Sequence, residues 1–260
     1  MTEQFGNQGM VENKEPELSR QYGERTSVEY AQITETDPSK RFVQYPEGLR
    51  LLGDVQGKRI LDIGCGNGEF TRMMAKSGAK VVAYDSAEKQ IKLAQEKEIE
   101  ENLGIKYFVA DRPAISPDEK FDIATSIMVF PHAKDQAALT EMFMQVSEAL
   151  NSEGKLVSVT TNPDFKRFGE IAHNRRFTKS DDGKNTKVEF FDGLGNFKFD
   201  VTGTFFTKAD YEQAARKAGF KSIEWQPLSI DQKGIEEMGP EFWDEYETDC
   251  PYVGFVAHKE

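Results

Sequence analysis

The sequence predicts an α/β protein built on a doubly wound, mostly parallel sheet of seven strands, with a β-hairpin inserted late in the chain. Three observations favour this fold class. Short apolar runs alternate with segments of helical composition, glycine-containing turns separate them, and the fourth run is almost continuously apolar, as in a strand buried on both faces. The length of 260 residues is sufficient for one large domain.

The first two strand–helix units are the clearest in the sequence. A strand is predicted over residues 59–63, and a glycine loop leads from it into a helix that begins at Glu69. A second strand is predicted over residues 80–85. The segment SAEKQIKLAQEKEIEENLG follows as an amphipathic helix, with Ser86 as its N-cap and Gly104 as its stop signal.

Three more predicted strands follow along the chain. The third is predicted over residues 105–110, and the fourth over 120–128. A helix over residues 135–150 and a strand over 155–161 complete the fifth unit. Strands that alternate with helices of this length indicate parallel pairing, with helices on both faces of the sheet.

The alternation stops at Asn162-Pro163, and an insert is predicted over about residues 163–206. Its runs VEFF (188–191) and FKFDVTGTFF (197–206) flank a turn that contains two glycines, which favours a β-hairpin. Its phenylalanines are expected to form the core of the hairpin. A lid over an active site is the alternative interpretation.

The C-terminal part predicts one helix and two edge strands. The sequence TKAD at residues 207–210 has the pattern of an N-cap, and Gly219 ends that helix. Apolar runs at residues 222–225 and 252–258 are expected to pair as antiparallel strands at one edge of the sheet. A short helix is predicted between them, over residues 235–246.

The domain organisation is predicted from composition. Residues 1–28 are polar and mixed in charge, and we expect them to form a flexible or loosely docked, partly helical extension. Residues 29–260 are expected to form a single domain. The N-terminal segment contains no apolar stretch long enough for a signal peptide or a membrane span, which favours the cytoplasm.

Charge and cysteine content limit the kinds of partner. The formal net charge is -12, with 45 acidic and 33 basic residues, which argues against a nucleic acid or an anionic membrane as the main partner. We therefore expect a small-molecule partner, and a monomer or a homodimer. Two cysteines and three scattered histidines predict neither a disulfide framework nor a metal site.

The loop LDIGCGNGEF (61–70) predicts the type of ligand. A dinucleotide loop, G-x-G-x-x-G, needs glycine where Glu69 stands, and a phosphate-binding P-loop needs Lys followed by Ser or Thr. Asp62 and Glu69 flank the loop, and their carboxylates would repel a phosphate. A cationic nucleoside without phosphate suits this loop better, and S-adenosylmethionine (SAM) meets that description. An NAD-linked oxidoreductase is the more distant alternative.

Other polar segments are expected beside this loop. In open α/β sheets, ligands bind outside the carboxyl ends of the strands, near the point where the strand order reverses. Four predicted strands deliver a glycine-rich or polar segment to that edge. These segments are 62–68, 85–86, 111–112 and 128–132.

The sequence LDIGCGNG (61–68) resembles the first motif of the class I SAM-dependent methyltransferases. The resemblance implies a Rossmann-like methyltransferase fold with SAM as the cofactor and S-adenosylhomocysteine as its product. It implies that Asp62 and the loop residues hold the methionine part, Asp85 the ribose and Asp111 the adenine. The cofactor-binding residues predicted in this way are Tyr30, Asp62, Gly64, Cys65, Gly66, Gly68, Asp85, Ser86, Asp111, Arg112, Ile127 and Met128.

A narrower resemblance is to toxoflavin-synthase-like methyltransferases, which N-methylate a fused nitrogen heterocycle. Tyr30 matches a tyrosine that this family places near the cofactor, although the positions after it differ. The resemblance implies N-methylation of a small molecule. O- or S-methylation, and a SAM-binding regulator without turnover, are the alternatives. The segments that carry this resemblance are 51–59, 103–107, 160–163, 218–220 and 234–243.

The acceptor is expected beside the segment after the fourth strand. His132 is the candidate catalytic base, with packing against the next helix as the alternative interpretation. The other candidate acceptor-binding residues have packing or turn formation as their alternative roles. The candidate acceptor-binding residues are Tyr45, Phe130, His132, Asn162 and Phe165.

Overall fold

The computed structural model describes residues 36–112, 119–192 and 194–259. The predicted extension over residues 1–28 and Tyr30 lie outside the described residues. The first five strands are β1 (Arg59–Ile63), β2 (Lys80–Asp85), β3 (Lys106–Val109), β4 (Phe121–Ile127) and β5 (Leu150–Thr161). They are followed by β6 (Ile171–Ala172), β7 (Arg175–Lys179), β8 (Asn185–Phe191), β9 (Phe197–Thr204), β10 (Phe220–Pro227) and β11 (Tyr252–Lys259).

Seven of these strands form one sheet in the order β10-β11-β5-β4-β1-β2-β3. The pairs among β1 to β5 are parallel, whereas β11 pairs antiparallel with both β5 and β10. The predicted seven-stranded, mostly parallel sheet is therefore confirmed. The strand order reverses between β1 and β4, and this is where a ligand cleft is expected.

Helices cover both faces of the sheet, as the alternating sequence pattern predicts. They are α1 (Tyr45–Leu52), α2 (Glu69–Lys76), α3 (Glu88–Glu101), α4 (Gln136–Ala149), α5 (Lys208–Lys217), α6 (Gln232–Met238) and α7 (Asp244–Thr248). Leu52, Phe70 and Ile91 bury α1, α2 and α3 against one face. Phe143 and Tyr211 bury α4 and α5 against the other. None of the described helices is both long and apolar enough to cross a membrane.

Two helix boundaries differ from prediction. The N-cap of α3 is Ala87 rather than Ser86, because the Asp85 carboxylate accepts the Ala87 N–H at 2.8 Å. The single helix predicted over residues 235–246 is instead α6 and α7 with a 3₁₀ turn between them. Gly239, with φ +82°, ends α6, and Pro240 follows it, so the helix does not continue.

The predicted hairpin is confirmed as β8 and β9, within a four-stranded antiparallel sheet of order β6-β7-β8-β9. This second sheet lies over the segment that follows β4. The Thr204 hydroxyl donates to the Ala133 carbonyl oxygen at 2.5 Å. An added Cβ on Gly203 would come within 2.8 Å of the Pro131 carbonyl oxygen. Glycine therefore allows the two backbones to approach each other.

A third apolar cluster joins the second sheet to the large one. Phe177 of β7 and Val159 of β5 belong to it, together with Trp243 and Tyr252. Phe42 adds the short π-helical segment Lys40–Gln44, which precedes α1. This packing holds the second sheet above the carboxyl end of the large sheet.

Candidate functional site

A cavity of about 260 Å³ lies between the carboxyl ends of β1, β2 and β4 and the second sheet. Its volume is close to the lower end of the range that small-molecule sites occupy. On the large-sheet side it is lined by Gly64, Gly66, Asp85, Ser86, Asp111, Ile127, Met128, Phe130 and His132. On the opposite side it is lined by Gln44, Arg175, Phe177, Thr186, Val188, Phe190, Val201, Gly203 and Tyr252.

The three glycines of the loop all have left-handed backbone conformations, with φ of +61°, +54° and +76° at Gly64, Gly66 and Gly68. A Cβ on Gly64 or on Gly68 would come within 2.5 Å of the Val129 or the Tyr107 side chain. Gly66 is different, because an added Cβ would have no neighbour closer than 3.9 Å. Packing therefore requires Gly64 and Gly68, whereas Gly66 presents open space to a ligand.

The Asp85 carboxylate lies at the end of β2, where it faces both the loop and the cavity. It accepts the Gly66 N–H at 2.9 Å and the Ala87 N–H at 2.8 Å. Burial raises the pKa of Asp85, and these two amide bonds oppose that rise. The arrangement holds a hydrogen-bond acceptor at the cavity wall, where ligand hydroxyl groups can reach it.

Asp62 is the second acid of this region, but it does not line the cavity. Its carboxylate is buried under the loop and accepts from the Thr71 hydroxyl at 2.5 Å and the Thr125 hydroxyl at 2.7 Å. Burial raises its pKa to about 6, although the two threonine bonds oppose the rise. Asp62 therefore joins β1 to α2 and β4 underneath the loop.

The chain leaves β4 through a strained residue. Met128 has φ +61°, which is uncommon for a residue other than glycine, and its N–H donates to the Val159 carbonyl at 2.8 Å. The 3₁₀ turn Phe130–His132 follows and brings His132 to the cavity. Burial lowers the pKa of His132 to about 4, so its imidazole is neutral at physiological pH.

The opposite wall of the cavity is largely apolar. Phe177 of β7, Val188 and Phe190 of β8, and Val201 of β9 face it from the second sheet. Alternate residues of a strand share a face, so Thr186 lies on this face together with Val188 and Phe190. The wall suits an apolar or aromatic group better than a strongly hydrated one.

A buried ion pair lies at one side of this wall. The Arg175 guanidinium pairs with Asp37, donates to the Ser39 hydroxyl and donates to the Tyr252 hydroxyl at 2.8 Å. It also lies 4.9 Å from the centre of the Phe190 ring. Burial opposes the charge of Arg175, but the Asp37 carboxylate, Tyr252 and Tyr246 together raise the pKa of the guanidinium above its ordinary value.

The sequence matches a known family over most of the chain. The profile of a family described as a methyltransferase domain matches residues 39–224. The chain belongs to this methyltransferase domain family. Its match therefore includes the loop, the four strand ends and the second sheet.

Individual relatives of this chain are also methyltransferases. The chain is 31% identical over 115 residues to a ubiquinone biosynthesis O-methyltransferase of Coxiella burnetii (strain RSA 493 / Nine Mile phase I), covering 44% of this chain and 48% of that protein. The chain thus spans about half the length of the curated relatives it matches.

Two solved structures are similar in fold. A SAM-dependent methyltransferase from Mesorhizobium loti has a TM-score of 0.59 and 24% identity, over 83% of this chain and 97% of that one. A sugar N-methyltransferase from Streptoalloteichus sp ATCC 53650 has a TM-score of 0.64 and 16% identity, over the full length of both chains. At these identities the likeness shows that the methyltransferase domain has the same fold.

The structure brings seven of the predicted cofactor residues together around the cavity. The Asp62 carboxylate lies beneath the loop and does not line the cavity. Gly68 packs against the Tyr107 side chain. The Cys65 thiol contacts the Gly66 carbonyl at 3.6 Å, and burial raises its pKa, so the thiol stays protonated. Arg112 also does not line the cavity. The seven that do are Gly64, Gly66, Asp85, Ser86, Asp111, Ile127 and Met128.

Of the predicted acceptor residues, Phe130 and His132 line the cavity and three others do not. Tyr45 stacks on Phe70, with ring centres 5.5 Å apart. The Asn162 side-chain oxygen accepts the Asp164 N–H at 3.0 Å, as in a turn, and its amide group donates to the Cys250 carbonyl at 2.9 Å. Phe165 packs in the third apolar cluster, beside Phe177.

Sequence reasoning missed most of the wall that the second sheet provides. The alternation in NTKVEFF was the available signal for Thr186, Val188 and Phe190. No local signal marks Arg175, which lies in a charged stretch, or Gln44. Among the described residues, no group of three His, Cys, Asp or Glu side chains is placed to hold a metal ion.

Proposed function

We propose that this methyltransferase domain binds SAM at the carboxyl end of its sheet and methylates a small, neutral acceptor that lies under the second sheet. One observation carries the proposal. The loop, the strand ends and the apolar wall of the second sheet enclose one continuous cavity. A donor and an acceptor bound there would be in contact, as a bimolecular transfer requires.

The cofactor half supplies binding groups of the kind that a cationic nucleoside needs. The Asp85 carboxylate would accept hydrogen bonds from the ribose hydroxyls, and Asp111 would lie beside the adenine. Gly66 leaves room for the ligand against the loop backbone. Ile127 and Met128 would pack beside the cofactor at the end of β4.

The chemistry asks for alignment and exclusion of water rather than strong acid or base. SAM held by these residues would supply a methyl group on a sulfonium, and its transfer to the acceptor would leave S-adenosylhomocysteine as the product. The second sheet covers the acceptor and keeps water away from this contact. Well-oriented intramolecular reactions reach effective molarities of about 10⁵ to 10⁸ M, so positioning can supply most of the acceleration.

Nitrogen is the favoured acceptor atom because of His132. Its pKa of about 4 makes it a poor base for a phenol, whose ordinary pKa is about 10. A neutral nitrogen attacks with its own lone pair, and its N–H proton becomes acidic as the N–CH₃ bond forms. His132 would accept that acidic proton.

The test is an assay that identifies the product. The full chain is incubated with a metabolite extract and SAM carrying a ¹³C-labelled methyl group, and labelled products are isolated and located by mass spectrometry and NMR. We expect a labelled N-methyl compound that is absent with Asp85→Ala. A label on oxygen, the atom named for the curated relatives, would overturn the preference for nitrogen.

Calorimetry with S-adenosylhomocysteine separates the remaining outcomes. Absence of binding would contradict the whole proposal. Binding without any labelled product would favour the SAM-binding regulator instead. The cytoplasmic location and the monomeric or homodimeric state stay predictions from the sequence.

A further inference from the structure

The wall of the cavity holds a buried hydrogen-bond donor and a buried acceptor that have no partner among the described residues. Arg175 Nε and Gln44 Oε1 have no hydrogen-bond partner in residues 36–112, 119–192 and 194–259. Both residues line the cavity, and both are more than nine-tenths buried. Burying an unsatisfied polar group is costly, so such atoms at a cavity wall indicate that a ligand supplies the missing partners.

Ser39 brings the two side chains together and fixes the orientation of the Gln44 amide. The Ser39 hydroxyl donates its hydrogen to Asp37 at 2.9 Å, and it accepts from an Arg175 terminal nitrogen. The group of Gln44 that faces Ser39 at 3.5 Å must therefore be a donor, its Nε2. Oε1 is left as an acceptor, in the same network as the Arg175 Nε–H donor.

The charge of this corner is already balanced. Arg175 and Asp37 are both buried and paired with each other, so a ligand carboxylate would bring an uncompensated charge. Lys40 also lines the cavity, with its ammonium group 6.0 Å from the centre of the Tyr45 ring, and Asp85 and Asp111 add negative charge on the opposite side. A neutral ligand suits this corner better than an anion.

We propose that Gln44 and Arg175 bind the –CO–NH– edge of a planar, neutral cyclic amide, which we term the lactam subsite. The lactam carbonyl accepts from Arg175 Nε–H, and the lactam N–H donates to Gln44 Oε1. The ring lies against Phe177, Val188 and Phe190. The subsite rests on the proposed function in that the ligand is the methyl acceptor, and the methylated atom is then one other than the lactam nitrogen.

Three bicyclic probes of similar size test this subsite. Quinolin-2(1H)-one carries the whole lactam edge, 1-methylquinolin-2-one lacks the N–H, and quinoline-2-carboxylate is an anion. Each is titrated into the full chain by calorimetry or ligand-observed NMR, with and without S-adenosylhomocysteine. One lost hydrogen bond to a buried partner is worth about tenfold in affinity, so we expect the lactam to bind about tenfold more tightly than its N-methyl analogue.

Substitutions test whether Gln44 and Arg175 cause the tighter binding of the lactam relative to its N-methyl analogue. Gln44→Met keeps the length of the side chain and removes the acceptor, and it should equalise the affinities for the lactam and its N-methyl analogue. Gln145→Met is the matched control, since Gln145 lines the same cavity from α4 and bonds to Glu141. Arg175→Lys keeps a charge for Asp37 and removes Nε–H, and it should weaken both lactams. Thermal denaturation establishes that each variant is folded.

The subsite is overturned if wild-type protein shows no lactam binding, equal affinity for lactam and N-methyl analogue, or tighter binding of the carboxylate. It is also overturned if Gln44→Met and Gln145→Met behave alike. These results do not depend on the cofactor, because the probes are also titrated without it. Failure of S-adenosylhomocysteine to bind would instead count against the proposed function.

Discussion

The two halves of the cavity are built in different ways. The cofactor half consists of the ends of parallel strands, where backbone conformation at Gly66 and one carboxylate at Asp85 form the wall within 20 residues of sequence. The acceptor half consists of side chains from the second sheet, the segment before α1 and the start of β11. A local sequence motif therefore predicts the cofactor half. The residues of the acceptor half come together only in the tertiary structure.

The largest effect is expected at Asp85, and it tests whether the cofactor half depends on this carboxylate. Asp85→Ala removes the proposed acceptor for two ribose hydroxyls, and hydrogen bonds to a charged group contribute about 1.5 to 3 kcal/mol each. We expect the affinity for S-adenosylhomocysteine, measured by calorimetry, to fall about thousandfold. Glu88→Ala, an exposed change three residues along, is the control. If Asp85→Ala bound S-adenosylhomocysteine as tightly as wild type, the cofactor half would not depend on this carboxylate.

This difference explains what the sequence could and could not predict. The seven strands and the glycine loop follow from short-range periodicity and turn residues. Strands β6 and β7 were missed because the stretch from Ile171 to Lys179 is charged and shows little alternation. The pairing of Arg175 with Asp37 spans 138 residues, and no local pattern reports a contact of that range.

Asp62 shows the same limit inside the motif itself. Its place before the glycines predicts contact with the ligand, yet its carboxylate is turned toward Thr71 and Thr125. A sequence motif gives the order of residues along a loop. Which side of the loop each side chain takes depends on its neighbours in α2 and β4.

A second prediction concerns the buried Asp62 carboxyl, whose ionisation should lower the free energy of unfolding by about 3 kcal/mol. The pKa of Asp62 rises from 3.8 to about 6 on folding, so the folded protein binds the proton more tightly than the unfolded chain. Its contribution to stability is present below about pH 4 and is lost as the pH rises through about 6, a loss of about 3 kcal/mol. Asp62→Asn removes that loss.

Urea denaturation at several pH values between about 4 and 7.5 measures the effect. The free energy of unfolding of wild type, relative to Asp62→Asn, should fall by about 3 kcal/mol over this interval. Asp54→Asn makes the same chemical change on an exposed residue and serves as the control. A constant difference between wild type and Asp62→Asn would mean that the carboxyl is not the buried anchor described above.

His132 stands between the two halves, and its expected effect is about hundredfold. Proton transfer by a positioned side chain contributes about 10²-fold or more, so His132→Asn should lower kcat by about that factor while the affinity for S-adenosylhomocysteine stays unchanged. Because the pKa of His132 is about 4, wild-type turnover should be constant at higher pH and fall only as the pH approaches that value. Loss of activity near pH ~6.5, where an unperturbed histidine titrates, would contradict the burial argument.

The smallest expected effect separates backbone strain from contact with the ligand. Gly66→Ala and Gly57→Ala both place alanine at a positive φ, +54° and +71°, and neither added Cβ meets a near neighbour. Each should therefore lose a similar stability, about 1 kcal/mol. Only Gly66 lines the cavity, since Gly57 precedes β1 at the opposite edge of the sheet, so only Gly66→Ala should also lower the affinity for S-adenosylhomocysteine, about tenfold. Equal affinities in the two variants would mean that the open space at Gly66 is not occupied by the ligand, and that the glycine is there for the turn alone.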